Sequence, residues 1–209
     1  MGTFRQKYYN LFSKFYDNFI KLHSGDKQEQ LRKFFVEQLN LSNKDTVLDI
    51  CCGTGATTGA IYNILKNNGI VIGLDFSPGM IQKAKDKYPD VNFIVGDVSM
   101  LPFKEQTFDR ITCTFAFYEL KGDKVDTTLN LIVKLLKKNG SFFMMEHEVP
   151  EKFLIRLLFY VRMLSMGFKK AFTILKKEKE LLEKYFNNVE KIVSPSKNSK
   201  IWKCYNYDN

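Results

Sequence analysis

Apolar residues first recur at helical spacing. Leu11, Phe15 and Phe19 stand four apart, and Leu31, Phe34, Phe35 and Leu39 follow at three- and four-residue steps. Residues 7–40 therefore read as two helices, "YYNLFSKFYDNFIKL" and "KQEQLRKFFVEQL", split by the turn "HSGD". After the polar turn "SNKD" the period changes. "TVLDI" is a short apolar run with a β-branched start, the mark of a buried strand. Strand and helix patterns then alternate. "ATTGAIYNILKN" predicts a helix, "IVIGLD" a strand, and "SPGMIQKAKDKY" a helix with Ser77 as N-cap and Pro78 at its first position. "VNFIVGD" and "DRITCTFAF" predict strands, "KVDTTLNLIVKLLKK" a helix, and "GSFFMMEHE" a strand after Asn139-Gly140.

Such alternation predicts an α/β fold: a doubly wound, mostly parallel sheet with helices on both faces. The last third departs from it. Helices are expected near residues 151–166 and 170–186, then strands "VEKIVS" and "KIWKCYN" joined by "PSKNSK" as an antiparallel hairpin at the sheet edge, seven strands in all. One domain over residues 1–209 is expected. It divides into a helical cap (1–40), a ligand-binding core (41–150), a helical lid (151–187) and closing strands (188–209).

Composition changes this picture little. The chain is 44% hydrophobic and 26% charged, ordinary for a globular protein and an argument against disorder. Charge matters more. Residues 151–209 hold 13 Lys and Arg against 6 Asp and Glu, so seven of the nine net positive charges lie there. A one-sided basic surface attracts nucleic acid, anionic lipid or an acidic partner, or is simply a solvated face. The four cysteines form no C-x-x-C pair and the two histidines, His23 and His147, lie far apart, so no metal site is expected. No secretory pattern is visible, which makes the cytoplasm the expected compartment.

The candidate chemistry centres on "VLDICCGTGATTGAI", residues 47–61. It ends a predicted strand, opens a predicted helix, and offers bare backbone for close approach to a ligand. Asp75 ends the next strand about twenty residues past Gly55, where an acid holds ribose hydroxyls. Together these features imply a nucleoside-containing cofactor. Three details oppose a dinucleotide. Thr58 replaces the third glycine of G-x-G-x-x-G, over forty residues precede the first strand, and Asp49 places a carboxylate in that strand where a pyrophosphate would be repelled.

With these residues in view the chain resembles the class I S-adenosylmethionine-dependent methyltransferases, in their type 11 small-molecule branch. "VLDICCGTG" is similar to that family's first motif, with Cys51 where a glycine is usual. "GLDFSPGM" resembles the second, "GDVSMLPF" the third, "FDRITCTFAFYEL" the fourth, and "LLKKNGSFFMMEH" the fifth-strand region. The resemblance runs from about residue 40 to 150 and implies a Rossmann-like fold. It implies that Asp49 and the Cys51, Gly53, Thr54 and Gly55 loop hold the methionine part of the cofactor. Asp75 would take the ribose, Asp97 and the Val98 backbone the adenine edge, and Phe76 and Met80 its face. Tyr16, part of a Tyr-Asp pair ahead of the first motif, would close over the cofactor and substrate, and Phe115 is a further cofactor-binding candidate.

A sulfonium methyl is already electrophilic, so the protein's main task is alignment of the acceptor and exclusion of water. Candidates lie at strand carboxyl ends: Phe115, Phe117, Tyr118 and Glu119 after the fourth strand, and Glu146, His147 and Glu148 after the fifth. His147 is the expected acid–base residue, and Tyr118 an orienting group. Residues 153–168, "FLIRLLFYVRMLSMGF", are apolar almost all round. They are too short and too charged to span a bilayer, which leaves a lid over an apolar acceptor or a contact with an anionic membrane surface.

The expected activity is methyl transfer to a small apolar or amphipathic acceptor: a quinol, a lipid or a thiol. The Cys-Cys-Gly-Thr run resembles ubiquinone and menaquinone methyltransferases. "EHEVP" keeps only Glu146 and Pro150 of their usual "EFSKP", while its "MEH" element is similar to membrane-associated thiol and lipid methyltransferases. An RNA-modifying methyltransferase is the alternative the basic tail allows, but "FAFYEL" lacks the prolines of base N-methylating enzymes, so nucleic acid is disfavoured. A non-catalytic S-adenosylmethionine-binding module is the other alternative.

Overall fold

The computed structural model describes residues 29–66, 68–120, 123–148 and 171–207, with side chains omitted over 171–176. The first predicted helix, Tyr16 and the apolar segment 153–168 lie outside the described residues.

Helix α1 (29–38) precedes strand β1 (Thr46–Ile50). Then come α2 (Ala56–Leu65), β2 (Ile70–Asp75), α3 (Pro78–Lys87), β3 (Asn92–Val95) and β4 (Phe108–Thr114). A 3-10 turn (Phe117–Glu119), α4 (Asp123–Leu135), β5 (Leu136–His147), α5 (Ala171–Leu182), β6 (Asn188–Val193) and β7 (Ser199–Tyr205) complete the order. The seven strands form one sheet in the order β3-β2-β1-β4-β5-β7-β6. β1 to β5 pair in parallel, whereas β7 runs antiparallel to both β5 and β6. The late hairpin is present, with β7 inserted next to β5 and β6 at the edge.

The sheet divides two cores by simple alternation. Phe142 and Met144 of β5 face Leu129, Ile132, Leu182 and Phe186 of the α4–α5 side. Phe143 and Met145 face Phe35, Leu39, Ile61 and Ile81 of the α1–α3 side. Both faces are covered, as the continuous apolar strands require. Ser77 caps α3 as its sequence predicts: its Oγ accepts from the Met80 amide at 3.3 Å.

Several boundaries differ from the expected ones, two of them for a visible reason. β4 stops at Thr114 because Phe115 is left-handed (φ 52°) and the chain turns into the 3-10 element. Helix α4 ends at Leu135, short of the expected Lys138. The Lys134 and Leu135 carbonyls accept from the Gln106 and Thr107 amides at 2.9 Å, and Leu136 already pairs with Phe108 of β4. Residues 137–140 bulge before the regular pairing begins at Arg110 and Ser141.

Candidate active site

Strand order reverses between β1 and β4, and open α/β sheets bind ligands outside the strand carboxyl ends at such a switch point. The glycine loop lies there. Cys51, Gly53 and Gly55 take left-handed φ values of 54°, 55° and 77°. The departure at Cys51 thus falls at a position where glycine is unstrained and a side chain costs about 1–2 kcal/mol. The Cys52 amide donates to the Leu74 carbonyl, the Gly53 amide to Asp75 Oδ2 and the Gly55 amide to the Cys52 carbonyl, each at 3.0 Å. The loop is thereby tied to the end of β2.

The two glycines serve different ends. A Cβ on Gly55 would lie 2.6 Å from the Phe93 ring, so this glycine permits packing of loop against β3. A Cβ on Gly53 would meet nothing within 4 Å, so open space lies beside its backbone. Helix α2 starts at once, with no side-chain cap and no acid in its first turn. Its leading amides suit a carboxylate.

Asp75 also accepts from the Ser77 amide at 2.9 Å. Burial pushes its pKa up to about 6 against the pull of the Ser77 and Gly53 amides. Asp49 is fully buried, and its oxygens accept from Thr58 Oγ1 at 2.6 Å and Thr112 Oγ1 at 2.8 Å. Burial raises its pKa to about 6 as well, the two hydroxyls working against it. Asp49 therefore lies beneath the loop with its oxygens engaged. Thr58 and Thr112 hold it there, and the motif alone did not reveal them.

Asp97 is more open. Ser99 donates to Oδ1 through its amide (2.9 Å) and hydroxyl (2.6 Å), and Lys124 to Oδ2 at 2.5 Å. Partial burial opposes ionisation, but Lys124 and Ser99 outweigh it and bring the pKa down to about 2. An adenine amino group reaching this carboxylate would share it with Lys124. Of the other residues expected to bind cofactor, Met80 and Val98 are buried, Thr54 is buried within the loop, and Phe76 is half-buried just past Asp75.

A second group gathers at the ends of β4 and β5. The left-handed Phe115 donates its amide to the Met145 carbonyl at 2.8 Å, and its ring lies 4.8 Å from that of His147. Tyr118, 9% exposed, lies 6.3 Å from the same imidazole. Glu148 is drawn off to Lys191 at 2.9 Å. Among the described residues no group of three His, Cys, Asp or Glu side chains is placed to hold a metal ion. No helix among them is long and apolar enough to cross a membrane. All four cysteines are free.

A sheet of this order with its penultimate strand position reversed, a glycine loop at the switch point and an acid at the end of β2 describe the class I S-adenosylmethionine-dependent methyltransferases, and the chain belongs to them. A methyltransferase-domain family model matches residues 47–140. Within the class it is similar to demethylmenaquinone methyltransferases. That of Bacillus licheniformis is 30% identical over 175 residues, 80% of this chain and 75% of the relative. That of Lactiplantibacillus plantarum is 35% identical over 147 residues, 68% of this chain and 61% of the relative. Among solved structures, the carbon methyltransferase CurJ shares the fold with a TM-score of 0.70 at 17% identity, over 94% of this chain and 59% of that one. The cofactor is S-adenosylmethionine, and the open space at Gly53 beside Asp75 fits it.

The two raised carboxylates give a pH prediction. Each is protonated below about 6, and a protonated acid is a poorer acceptor and no counter-charge. Affinity for S-adenosylhomocysteine is expected to hold above pH 6.5 and to fall as pH drops through 6. The slope should approach about tenfold per pH unit for each proton that binding displaces. For the unliganded fold the sign is opposite: acids raised on folding make it more stable below pH 6 than above. Asp97, ionised throughout, adds no slope. Calorimetry from pH 5 to 8 checks this, and a flat profile would contradict it.

Proposed function

We propose that the protein transfers a methyl group from S-adenosylmethionine to a hydroxylated aromatic ring of the quinol class. The observation that carries this reading is the Phe115–Tyr118–His147 cluster. It places flat faces and two polar groups at the strand ends next to the cofactor loop. The name of its relatives, demethylmenaquinone methyltransferase, points the same way.

When bound, the cofactor supplies an electrophilic sulfonium methyl. The Gly53 backbone and the leading amides of α2 bind the methionine end, with the Asp49 charge beneath the loop balancing its ammonium. Asp75 accepts from the ribose hydroxyls, and Asp97 and the Val98 backbone border the adenine, with Phe76 and Met80 against its face. On the acceptor side Phe115 and Tyr118 orient the ring. His147 takes the proton that a quinol hydroxyl loses as the ring carbon becomes nucleophilic.

A screen with methyl-labelled cofactor against reduced naphthoquinols, phospholipids, thiols and tRNA tests the proposal. Label is expected in the quinol, and none in tRNA at any salt concentration. Transfer confined to lipid, thiol or RNA would overturn it. Turnover is expected to survive excess chelator, because a sulfonium needs no Lewis acid. Loss of activity restored by magnesium would contradict that.

A further inference from the structure

Four buried polar side chains meet on the α4–α5 side of the sheet, behind the acceptor cluster. Glu146, next to His147 on β5, and Glu178 of α5 are each 1% exposed, and Lys200 and Trp202 of β7 are 3% and 6% exposed. Glu146 and Lys200 are cross-strand partners. Glu178 Oε2 accepts from Lys200 Nζ at 2.7 Å and Trp202 Nε1 at 2.8 Å. Glu146 Oε1 accepts from the Phe117 amide at 3.0 Å. The other oxygens, Glu146 Oε2 and Glu178 Oε1, are buried with no hydrogen-bond partner. Cores seldom tolerate such orphans without a purpose.

The purpose lies in the turn that Glu146 holds. Phe117 opens the 3-10 turn directly after the left-handed Phe115 and Ala116, and Ala116 has no side chain able to cap it. The turn carrying Tyr118 is thus capped from the neighbouring strand. We propose that Glu146 is a positioning residue for methyl transfer: by pinning the Phe117 amide it fixes Phe115 and Tyr118 against His147. This rests on the reading above that the acceptor lies along those rings.

The charges agree with this role. Two buried carboxylates share one ammonium, and Lys200 pairs directly with Glu178. Burial first, and then the charge of Glu178, hold Glu146 well above the usual carboxylate range. Its bond to the turn needs only a carbonyl-type oxygen.

Three variants of the full chain test the proposal. E146Q keeps an oxygen for the Phe117 amide, E146D keeps the acid but is one methylene short, and E146L removes the acceptor. Hydrogen exchange over residues 115–120 is expected to quicken about tenfold or more in E146L and E146D, and to stay near wild type in E146Q. With the screened acceptor, kcat should fall about tenfold or more in the first two and recover most of its value in E146Q, because small misplacements cost large factors. Affinity for S-adenosylhomocysteine should change by less than about threefold in all.

Trp202 is the single tryptophan, so its emission reports whether the buried cluster survives each substitution. Should E146L unfold, the E146D and E146Q pair carries the same comparison. Unchanged exchange in E146D or E146L, or quickened exchange with unchanged kcat, would overturn the proposal. Exchange and emission need no acceptor. An enzyme inert toward quinols would therefore refute the acceptor assignment, while the pinning is still decided by exchange and kcat is read with whichever acceptor the screen identifies.

Discussion

Asp75→Ala is expected to weaken S-adenosylhomocysteine binding by about a hundredfold. The side chain lies at the end of β2 and accepts from the Gly53 amide, beside the open space to which the proposed reading assigns the ribose. Two charge-assisted hydrogen bonds to ribose hydroxyls are worth about 1.5–3 kcal/mol each, so losing both corresponds to a hundredfold or more. The same substitution strands the Gly53 and Ser77 amides, which now donate to this carboxylate. A lower melting temperature should accompany it. Asp75→Asn, which keeps one acceptor oxygen, should lie between wild type and Ala in both properties. Calorimetry well below the melting temperature separates the effects. Unchanged affinity in folded Asp75→Ala would remove Asp75 from the cofactor site.

Gly55→Ala and Gly53→Ala are expected to fail for opposite reasons. At Gly55 the new methyl would lie 2.6 Å from the Phe93 ring, and that ring cannot withdraw freely, because it is buried and already abuts Gly73. Overpacking of about 1–3 kcal/mol adds to about 1–2 kcal/mol for the left-handed backbone. The melting temperature should drop by about 5–15 °C in a chain of this size. At Gly53 only the backbone cost applies, since nothing lies within 4 Å of the new methyl. There the methyl enters space assigned to the cofactor, so affinity should fall by about tenfold or more while most stability is retained. Differential scanning fluorimetry beside calorimetry reads both. A Gly53→Ala variant with full affinity would contradict the cradle, and a Gly55→Ala variant as stable as wild type would contradict the packing argument.

The local elements were legible because their signals are local. "TVLDI" and "IVIGLD" become β1 and β2 over the expected residues, since each is a short β-branched run bounded by turn residues. Ser77-Pro78 starts α3 for the same kind of reason. The glycine loop and Asp75 were legible because a tight turn after a strand demands particular residue types at fixed spacing. Their meeting in space follows once β1 and β2 pair in parallel with Ile50 opposite Leu74.

Other features depended on partners distant in the chain. A strand run does not state its neighbour, so the insertion of β7 between β5 and β6 appeared only in the assembled sheet. β4 ends at Thr114, before the left-handed Phe115 whose amide is held by the Met145 carbonyl, and the end of α4 is met by amides from the loop before β4. Asp49 read as a ligand-facing acid, yet its oxygens are claimed by Thr58 and by Thr112 on the adjoining strand. Lys200 stands in the strand run "KIWKCYN", which says nothing of its partner. It is buried because β7 faces Glu178 of α5 at that register, and Glu146 holds the Phe117 amide because β5 lies beside β4. The sequence alone determined the order of the described elements and the glycine turn after β1, because both are encoded in neighbouring residues. Tertiary structure decided which buried charges share a site, because strand register brings together residues that sequence spacing keeps apart.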